Sequence, residues 1–379
     1  MYRMKRSFSQ KKELGQFFST NSSLLRGLRI APGSVVVDPF CGRCDLFRHF
    51  LTHPDACTFE VHDIDPKAPR EVLAPLNLRV QPRDSLLNCV DYGGKFVLTN
   101  PPYLASNKTK NKHAREVYAK FQHNDLFKCF LASLLCAAPP RGGFVVVPIA
   151  FFSSYRKKDI ELRKQFLHTF RVECLNIFEK RMFADTTYSV CSFLFLQRET
   201  PGTPDVEHVP VLLSRVGGCS ERELDLGRAE NCTFGNEVFR VGVCAKRPLR
   251  LHRLLDTEKE ECGHLGSVLT LLALDEKSGK RINMSVGEPY FGKHSARTRA
   301  SLAVSCDGEA LADGDKHALA AAFNAYLGRM RRKYCGLFLT QYRDGSRKRI
   351  AYGMAYKILQ HCWDNLHAQG VPTASGISV

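Results

Sequence analysis

Lys95-Phe96-Val97-Leu98-Thr99-Asn100-Pro101-Pro102-Tyr103 reads as a short apolar strand that runs directly into a polar turn. The Asn100 side chain offers one carbonyl acceptor and two N–H donors. Pro101 and Pro102 stiffen the backbone and withhold their own N–H groups, and Tyr103 brings a flat ring. Such a set can accept the hydrogens of a planar exocyclic amino group while an aromatic ring holds the face of the base that carries it. Asn and Pro are also ordinary turn formers, so the neighbouring sequence decides between the two readings.

Working outward, strand patterns alternate with helical ones. Val35-Val-Val-Asp38 is a β-branched strand followed by the turn Pro39-Phe-Cys-Gly-Arg-Cys-Asp45 and a helical pattern over Leu46–Leu51. Thr58–His62 and Leu78–Gln81 read as strands ending in Asp63-Ile64-Asp65 and Arg83-Asp84-Ser85, so each early strand closes on an acidic or polar cluster. Beyond Tyr103 come an amphipathic helix over Asn124–Ala138, a strand over Gly143–Pro148, a helix over Asp159–Phe170 and a late strand over Tyr188–Leu196. This alternation predicts an α/β fold with a mostly parallel, doubly wound sheet, helices on both faces, and ligands bound beyond the carboxyl ends of the strands. Turn residues between Arg198 and Asp205 mark a linker, dividing the chain into domains 1–200 and 206–379. The second is mixed α+β, with strand patterns at Val209–Leu213 and Val238–Val243 and helical ones at Leu249–Glu261, His317–Arg332 and Ala355–Leu366.

The chain has 379 residues, 44% of them hydrophobic, enough for two cores of ordinary size. Its formal charge is +17, and from Lys277 to Arg349 there are 15 Lys or Arg against 6 Asp or Glu, a surplus suited to a polyanion. Fifteen scattered cysteines, many in apolar patterns, read as reduced thiols of an intracellular protein rather than a disulfide scaffold. The start of the chain is basic without an apolar leader, and no membrane-length apolar run follows, so a soluble, intracellular protein with no membrane partner is expected. No spaced His or Cys set completes a metal site, and no constellation of paired acids and lysine suggests a fused nuclease.

The turn at Cys41-Gly42-Arg43-Cys44 admits two chemistries: a glycine turn passing close to a nucleoside cofactor, or a C-x-x-C redox pair at a helix start. A thiol oxidoreductase has no use for the acidic strand ends at Asp63 and Asp84 or for Asn100–Tyr103, whereas a cofactor bearing ribose and adenine uses them all.

Taken in order, these motifs resemble the S-adenosylmethionine-dependent DNA adenine-N6 methyltransferases in which the target-recognition domain follows a Rossmann-like catalytic domain. Lys12-Glu-Leu-Gly15-Gln-Phe-Phe-Ser-Thr20, Val36-Val-Asp-Pro-Phe-Cys-Gly42, Asp63-Ile-Asp-Pro66, Arg83-Asp-Ser-Leu86 and Asn100-Pro-Pro-Tyr103 are similar to successive family motifs. The resemblance implies S-adenosyl-L-methionine as cofactor, with Gln16, Phe17, Phe18 and Ser19 covering its methionine part. Asp38 and Pro39 would lie near the same end, and Gly42 would give close backbone access. It further implies Asp63 on the ribose, Ile64 against the adenine, and Asp84 with Ser85 at the adenine edge. Asn100, Pro101, Pro102 and Tyr103 would be catalytic, and Phe183, in Ile177-Phe-Glu-Lys-Arg-Met-Phe183, is a second stacking candidate or else a core residue. The family usually has glycine where this chain has Cys44, which makes the turn bulkier.

Double-stranded DNA is the partner the resemblance implies, with a separate cognate restriction endonuclease as an optional second. Candidate DNA contacts are Lys108, Lys110 and Lys112 after the tetrapeptide, a clamp or a solvated flap. In the second domain they are Lys293, Arg297, Arg299, Arg331, Arg332, Arg343, Arg347, Lys348 and Arg349, where basic and aromatic residues interleave. Alternatives are methylation of RNA adenine, methylation of a protein glutamine, or a DNA-binding scaffold with an inactive cofactor turn.

Overall fold

Ten strands make the first sheet: β1 (Val35–Asp38), β2 (Thr58–Asp63), β3 (Glu71–Val72), β4 (Leu78–Pro82), β5 (Phe96–Thr99), β6 (Gly142–Pro148), β7 (Phe170–Phe178), β8 (Val190–Gln197), β9 (Val206–Arg215) and β10 (Gly218–Gly227). They lie in the order β10-β9-β7-β8-β6-β5-β1-β2-β4-β3. This computed structural model describes residues 22–50, 57–65, 71–72, 76, 78–136, 138–179, 182–183, 189–202, 206–215, 218–227, 232–235, 237–242, 247–262, 265–276, 278–341 and 347–368. Gln16, Phe17, Phe18, Ser19 and Arg343 lie outside them.

β4, β2, β1, β5 and β6 are parallel neighbours, and β8 then enters antiparallel between β6 and β7. Every residue of β5 and β6 is buried, which is why these strands read as continuous apolar runs without alternation. Glycine opens β6 for a packing reason: a Cβ at Gly143 would stand 2.7 Å from both the Phe195 ring and the Val97 carbonyl. From β1 the chain winds to β2 and β4 on one side and continues through β5 and β6 on the other. The winding therefore reverses between β1 and β5, where such sheets open a crevice beyond their carboxyl ends.

Among the described residues of the first unit, the helices of eight residues or more after the tetrapeptide are α1 (Lys112–Phe121), α2 (Leu126–Ser133) and α3 (Lys157–Thr169). The Asn111 side chain accepts from Ala114 N and caps α1, and Leu126–Ser133 is the core of the longer helix expected over 124–138. Phe151, Phe166, Phe170, Phe193 and Phe195 interlock in edge-to-face, tilted and stacked pairs behind α3. The segment expected as a helix over 46–51 is a 3-10 turn, Asp45–Phe50.

The chain divides between Met1–Cys232 and Thr233–Val379, so the linker expected at 198–205 is a connection inside the first unit. β9 pairs with β7 and carries β10 as a hairpin, burying Val209, Val211 and Leu213 on alternate positions. A Pro- and Gly-rich turn alone cannot reveal that the next strand returns to the same sheet.

The second unit is α+β, with β11 (Leu249–Arg253), β12 (Val268–Leu272), β13 (Asn283–Gly287), β14 (Arg299–Cys306) and β15 (Glu309–Ala310) in one antiparallel sheet of order β11-β14-β12-β13, β15 pairing with β14. β16 (Thr340–Gln341) and β17 (Lys348–Arg349) pair separately. Helices α4 (Asp313–Lys333) and α5 (Tyr352–Ala368) share its core with the sheet, through Phe323, Leu327, Ile358 and Trp363. Two sequence expectations change here. Leu249–Arg253 is a strand, because Leu249 and Leu251 are more buried than Arg250 and His252 in a period of two, and Val238 sits in the short helix Glu237–Arg240.

Lys128 Nζ and the Asp159 carboxylate, 2.6 Å apart and each under a tenth exposed, pin α2 to α3. Lys128→Ala leaves a buried carboxylate without its cation, a loss of about 3–5 kcal/mol. A clear fall in the urea midpoint is expected, with partial recovery in the Lys128→Ala, Asp159→Ala double variant.

Candidate active site and basic surface

Asp38 and Asn100 flank the reversal point at the ends of two neighbouring strands. The Asp38 carboxylate is 1% exposed, and its Oδ1 accepts from Thr99 Oγ1 at 2.6 Å and from Phe40 N at 3.0 Å. Burial raises its pKa to about 7 despite those bonds. Asp63 organises the same turn: Oδ2 accepts from Gly42 N at 2.8 Å and Oδ1 from Asp65 N at 2.8 Å. At 4% exposure its carboxylate faces inward, so the ribose role expected of Asp63 has little open surface in this structure.

The turn itself is tight. Gly42 and Cys44 both have left-handed backbones, φ 53° and 55°. The second costs a non-glycine residue about 1 kcal/mol, which explains why glycine suits that position. Cys41 and Cys44 are free and buried. The hydrogen bond with Cys44, and then burial, push the Cys41 thiol far up, so it is no ready thiolate for redox exchange.

Beside the turn, Phe40, Ile64, Leu86, Pro102, Leu104 and Leu126 make the apolar walls of a cleft whose polar groups include Arg83, Asp84, Ser85 and His113. Ile64 is 42% exposed, an apolar side chain standing open at the rim. Ser85 Oγ is shielded from solvent without a hydrogen-bond partner. An unpaired buried hydroxyl in an otherwise apolar slot fits a flat ring with a polar edge. Asp84 Oδ1 accepts from Leu86 N and Leu87 N, while Oδ2 lies 3.5 Å from His113 Nε2. Sequence reasoning missed His113 and Leu126, since nothing in their local pattern announces that α1 and α2 close the cleft.

Asn100 Oδ1 accepts from Tyr103 Oη, which also contacts the Val146 carbonyl at 2.7 Å. Pro101 is buried and Pro102 contributes to the cleft wall. The Tyr103 ring is 3% exposed and meets Phe127 edge to face. Phe183 is 5% exposed. Both stacking candidates are thus buried rings here, and neither offers an open platform without a side-chain movement. Lys108, Lys110 and Lys112 are exposed along the segment after Tyr103.

In the second unit the structure separates the expected DNA contacts. Lys293 and Arg297 are exposed on the loop between β13 and β14, and Arg299 is exposed at the start of β14. Arg253, which sequence reasoning missed, builds that loop: its guanidinium donates to the carbonyls of Lys293 at 3.0 Å, His294 at 3.3 Å and Ala296 at 2.8 Å. It lies 5.0 Å from the Tyr352 ring, whose hydroxyl bonds the Ala296 and Arg299 carbonyls, and Arg299 lies 4.9 Å from the exposed Tyr290 ring. Burial raises the Tyr352 phenol, against the opposing charges of Arg253, Arg349 and Arg297. Arg347 and Arg349 are partly exposed and Arg332 is exposed.

Arg331 and Lys348 do other work. Arg331 holds both oxygens of Asp275, a carboxylate 2% exposed, at 3.1 and 2.5 Å. Burial alone would raise that carboxyl, yet Arg331 and the Ile282 N–H hold it below the usual range. Lys348 is 7% exposed and donates to the Cys335 carbonyl at 2.6 Å, just past the end of α4, where a cation satisfies an otherwise orphaned acceptor. Their spacing in sequence looks the same as that of surface arginines, and only packing distinguishes them.

Among the described residues, no group of three or more His, Cys, Asp or Glu could hold a metal ion, and no helix is long and apolar enough to cross a membrane.

Residues 88–183 match the family model described as Eco57I restriction-modification methylase, a stretch that contains Asn100–Tyr103 and ends at Phe183. No curated protein matches the sequence. Among solved structures, the chain is similar to the type I restriction-modification methyltransferase subunit from Streptococcus thermophilus, at 14% identity and a TM-score of 0.35 over 51% of this chain and 44% of that one. It is similar to the type IIL restriction-modification enzyme MmeI in complex with DNA at 10% identity and 0.46, over 97% and 74%. A third similarity is to the 23S rRNA methyltransferase ErmE at 15% and 0.34, over 48% and 68%. The chain spans 58%, 42% and 61% of the length of three further solved structures that it matches.

Arg253→Lys keeps the charge but cannot fork to three carbonyls. Loss of those bonds loosens the loop by about 1–3 kcal/mol. Faster amide exchange at 293–297 is expected, with the unfolding midpoint nearly unchanged.

Proposed function

We propose that this chain, which carries a restriction-modification methylase segment over residues 88–183, is a DNA methyltransferase that uses S-adenosyl-L-methionine and methylates the N6 amino group of an extruded adenine. The observation that carries the reading is the place of Asn100-Pro-Pro-Tyr103: it leaves the carboxyl end of β5 at the reversal point, and its own Pro102 forms a wall of the cleft. The residues present fit the cofactor. Ile64, Phe40 and Leu86 would hold its adenine face, Ser85 and Asp84 its polar edge, and Asp38 its cationic end. Bound there, it supplies an electrophilic methyl group on a sulfonium.

The protein's own residues do the rest. An amino group conjugated to a purine ring is a weak nucleophile, because its lone pair is delocalised into the ring. Asn100 Oδ1 accepts the Tyr103 hydroxyl, and an amide oxygen carries a second lone pair with which to accept a substrate N–H. The Pro101 carbonyl accepts the second hydrogen, and the nitrogen's lone pair is then directed away from both. This is catalysis by positioned dipoles, without a covalent intermediate. Extruding a base costs a few kcal/mol, and a stack on an aromatic returns about 1 to 3 of them. Tyr103 can supply that stack only by leaving Val146, so base entry and ring movement are coupled.

Incubation with labelled S-adenosylmethionine and duplex DNA is expected to yield labelled N6-methyladenine after digestion; label in a peptide or in RNA but not in DNA would overturn the reading. Asn100→Ala should lower turnover by about 10²-fold or more while leaving cofactor affinity within error.

Asp38 gives a pH test. The group is protonated below about 7, and a cation held beside it favours the charged form, so below about 7 cofactor binding releases a proton, and affinity rises as pH climbs to about 7 and levels off above it. Calorimetry across that window should show the rise in the wild type and a flat profile in Asp38→Asn.

A further inference from the structure

A second cleft in the first unit, of about 500 Å³, is lined by Tyr118, Gln122, His123, Arg156, Lys157 and Lys158 among others. Its chemistry is one-sided. Arg156, Lys157 and Lys158 are all exposed, and neither Arg156 nor Lys157 has an acidic partner among the described residues. Lys158 reaches only the Gln122 carbonyl, at 3.2 Å. The acid in the lining, Asp159, is buried and already bonded to Lys128 Nζ at 2.6 Å and Ser154 Oγ at 2.5 Å, so it does not answer the three exposed cations.

Two further observations point to an anion. His123 Nδ1 is closed off from solvent and has no hydrogen-bond partner, a buried polar atom that a ligand oxygen would satisfy. Burial, and then Lys128, push its imidazole below the usual range, so a neutral ring with one N–H to donate is the resting form. The 13-residue helix α3 starts at this cleft without a side-chain cap at Arg156, and the acid of its first turn, Asp159, is taken by Lys128 and Ser154, so the positive end of the helix adds to the three cations.

The cleft is wired to the catalytic segment. Tyr118 Oη donates to the carbonyl of Leu104, the residue after Tyr103, at 2.7 Å. Ser106 N donates to the Asn124 carbonyl at 2.9 Å, and Lys128 Nζ bridges Asn124 Oδ1 and Asp159. α3 follows β6, whose carboxyl end lies next to that of β5, so the cations and Asn100 share one edge of the sheet.

We propose that this cleft binds a backbone phosphate of the polynucleotide substrate beside the target base, with Arg156, Lys157 and Lys158 as its cations and the α3 N-terminus and His123 as its neutral donors. The proposal rests on the nucleic-acid reading above. It assigns these residues to substrate binding and not to chemistry.

The test compares the full-length wild type with an Arg156→Gln, Lys157→Gln, Lys158→Gln variant, using fluorescence anisotropy with a short DNA duplex over a salt series. Each neutralised phosphate contributes roughly 0.9 to the slope of log affinity against log salt, so a drop of about 1 to 2 in that slope is expected. KM for the duplex should rise about tenfold with KM for S-adenosylmethionine unchanged. An unchanged slope overturns the proposal. So does a result in which inorganic phosphate binds the wild type and not the variant while both bind the duplex equally, because the site then serves free phosphate. If the triple variant unfolds, the single charge reversal Lys157→Glu carries the same test, again with a shallower slope expected and an unchanged one fatal. Wild type that neither binds nor methylates a duplex would instead remove the functional reading on which the proposal stands.

Discussion

The hydrogen bond from Thr99 Oγ1 to Asp38 Oδ1 ties the carboxyl ends of β5 and β1 together at the point where the sheet reverses its winding. Both residues are essentially inaccessible, so the bond acts in a medium of low dielectric where a donor to a carboxylate counts for more than it does in water. The turn after β1 and the tetrapeptide after β5 start from the two ends of this link. The turn and the tetrapeptide are neighbours because two parallel strands in register must end side by side. The raised Asp38 pKa belongs to the same arrangement: the protein tolerates a carboxyl group at a dry position, and a cation brought to it would recover the charged form.

In each unit, side chains that look functional in sequence fasten the fold. Asp63 fastens the Gly42 turn, Asp84 caps the segment at Leu86 and Leu87, Arg331 neutralises Asp275, and Lys348 closes the end of α4. Each pairs a charged group with a donor or acceptor that burial would otherwise leave unsatisfied. Arg253 belongs with them in its bonding, yet what it supports is an exposed loop that carries Lys293 and Arg297 and leads into Arg299. A charge can therefore act on a surface it does not itself present, by fixing the path of the chain that does.

The loop after β5 shows a second constraint. Tyr103 is both the hydroxyl that orients Asn100 and a ring packed against Phe127, and it cannot keep these contacts while lying flat on an incoming base. The bonds from Tyr118 and Asn124 to the residues after Tyr103 hold the loop from outside, next to the basic cleft at α3. Ring position, loop position and the anion-attracting helix end lie along one continuous set of hydrogen bonds.

Much of this was legible in the residues alone. Runs such as Val35–Val37 and Phe96–Leu98 announce buried strands, and the polar residues that close them, Asp38, Asp63 and Asn100, announce where those strands end, because strand period and turn chemistry are local properties. The places where expectation failed are of another kind. That β9 and β10 return to the first sheet, that Leu249–Arg253 is a strand, and that Arg331 and Lys348 bond inward depend on partners far away in sequence. Composition and spacing specify what a side chain can do, whereas burial and the identity of its partner are set only when distant segments close around it, and that closure decides which of two equally charged residues meets solvent.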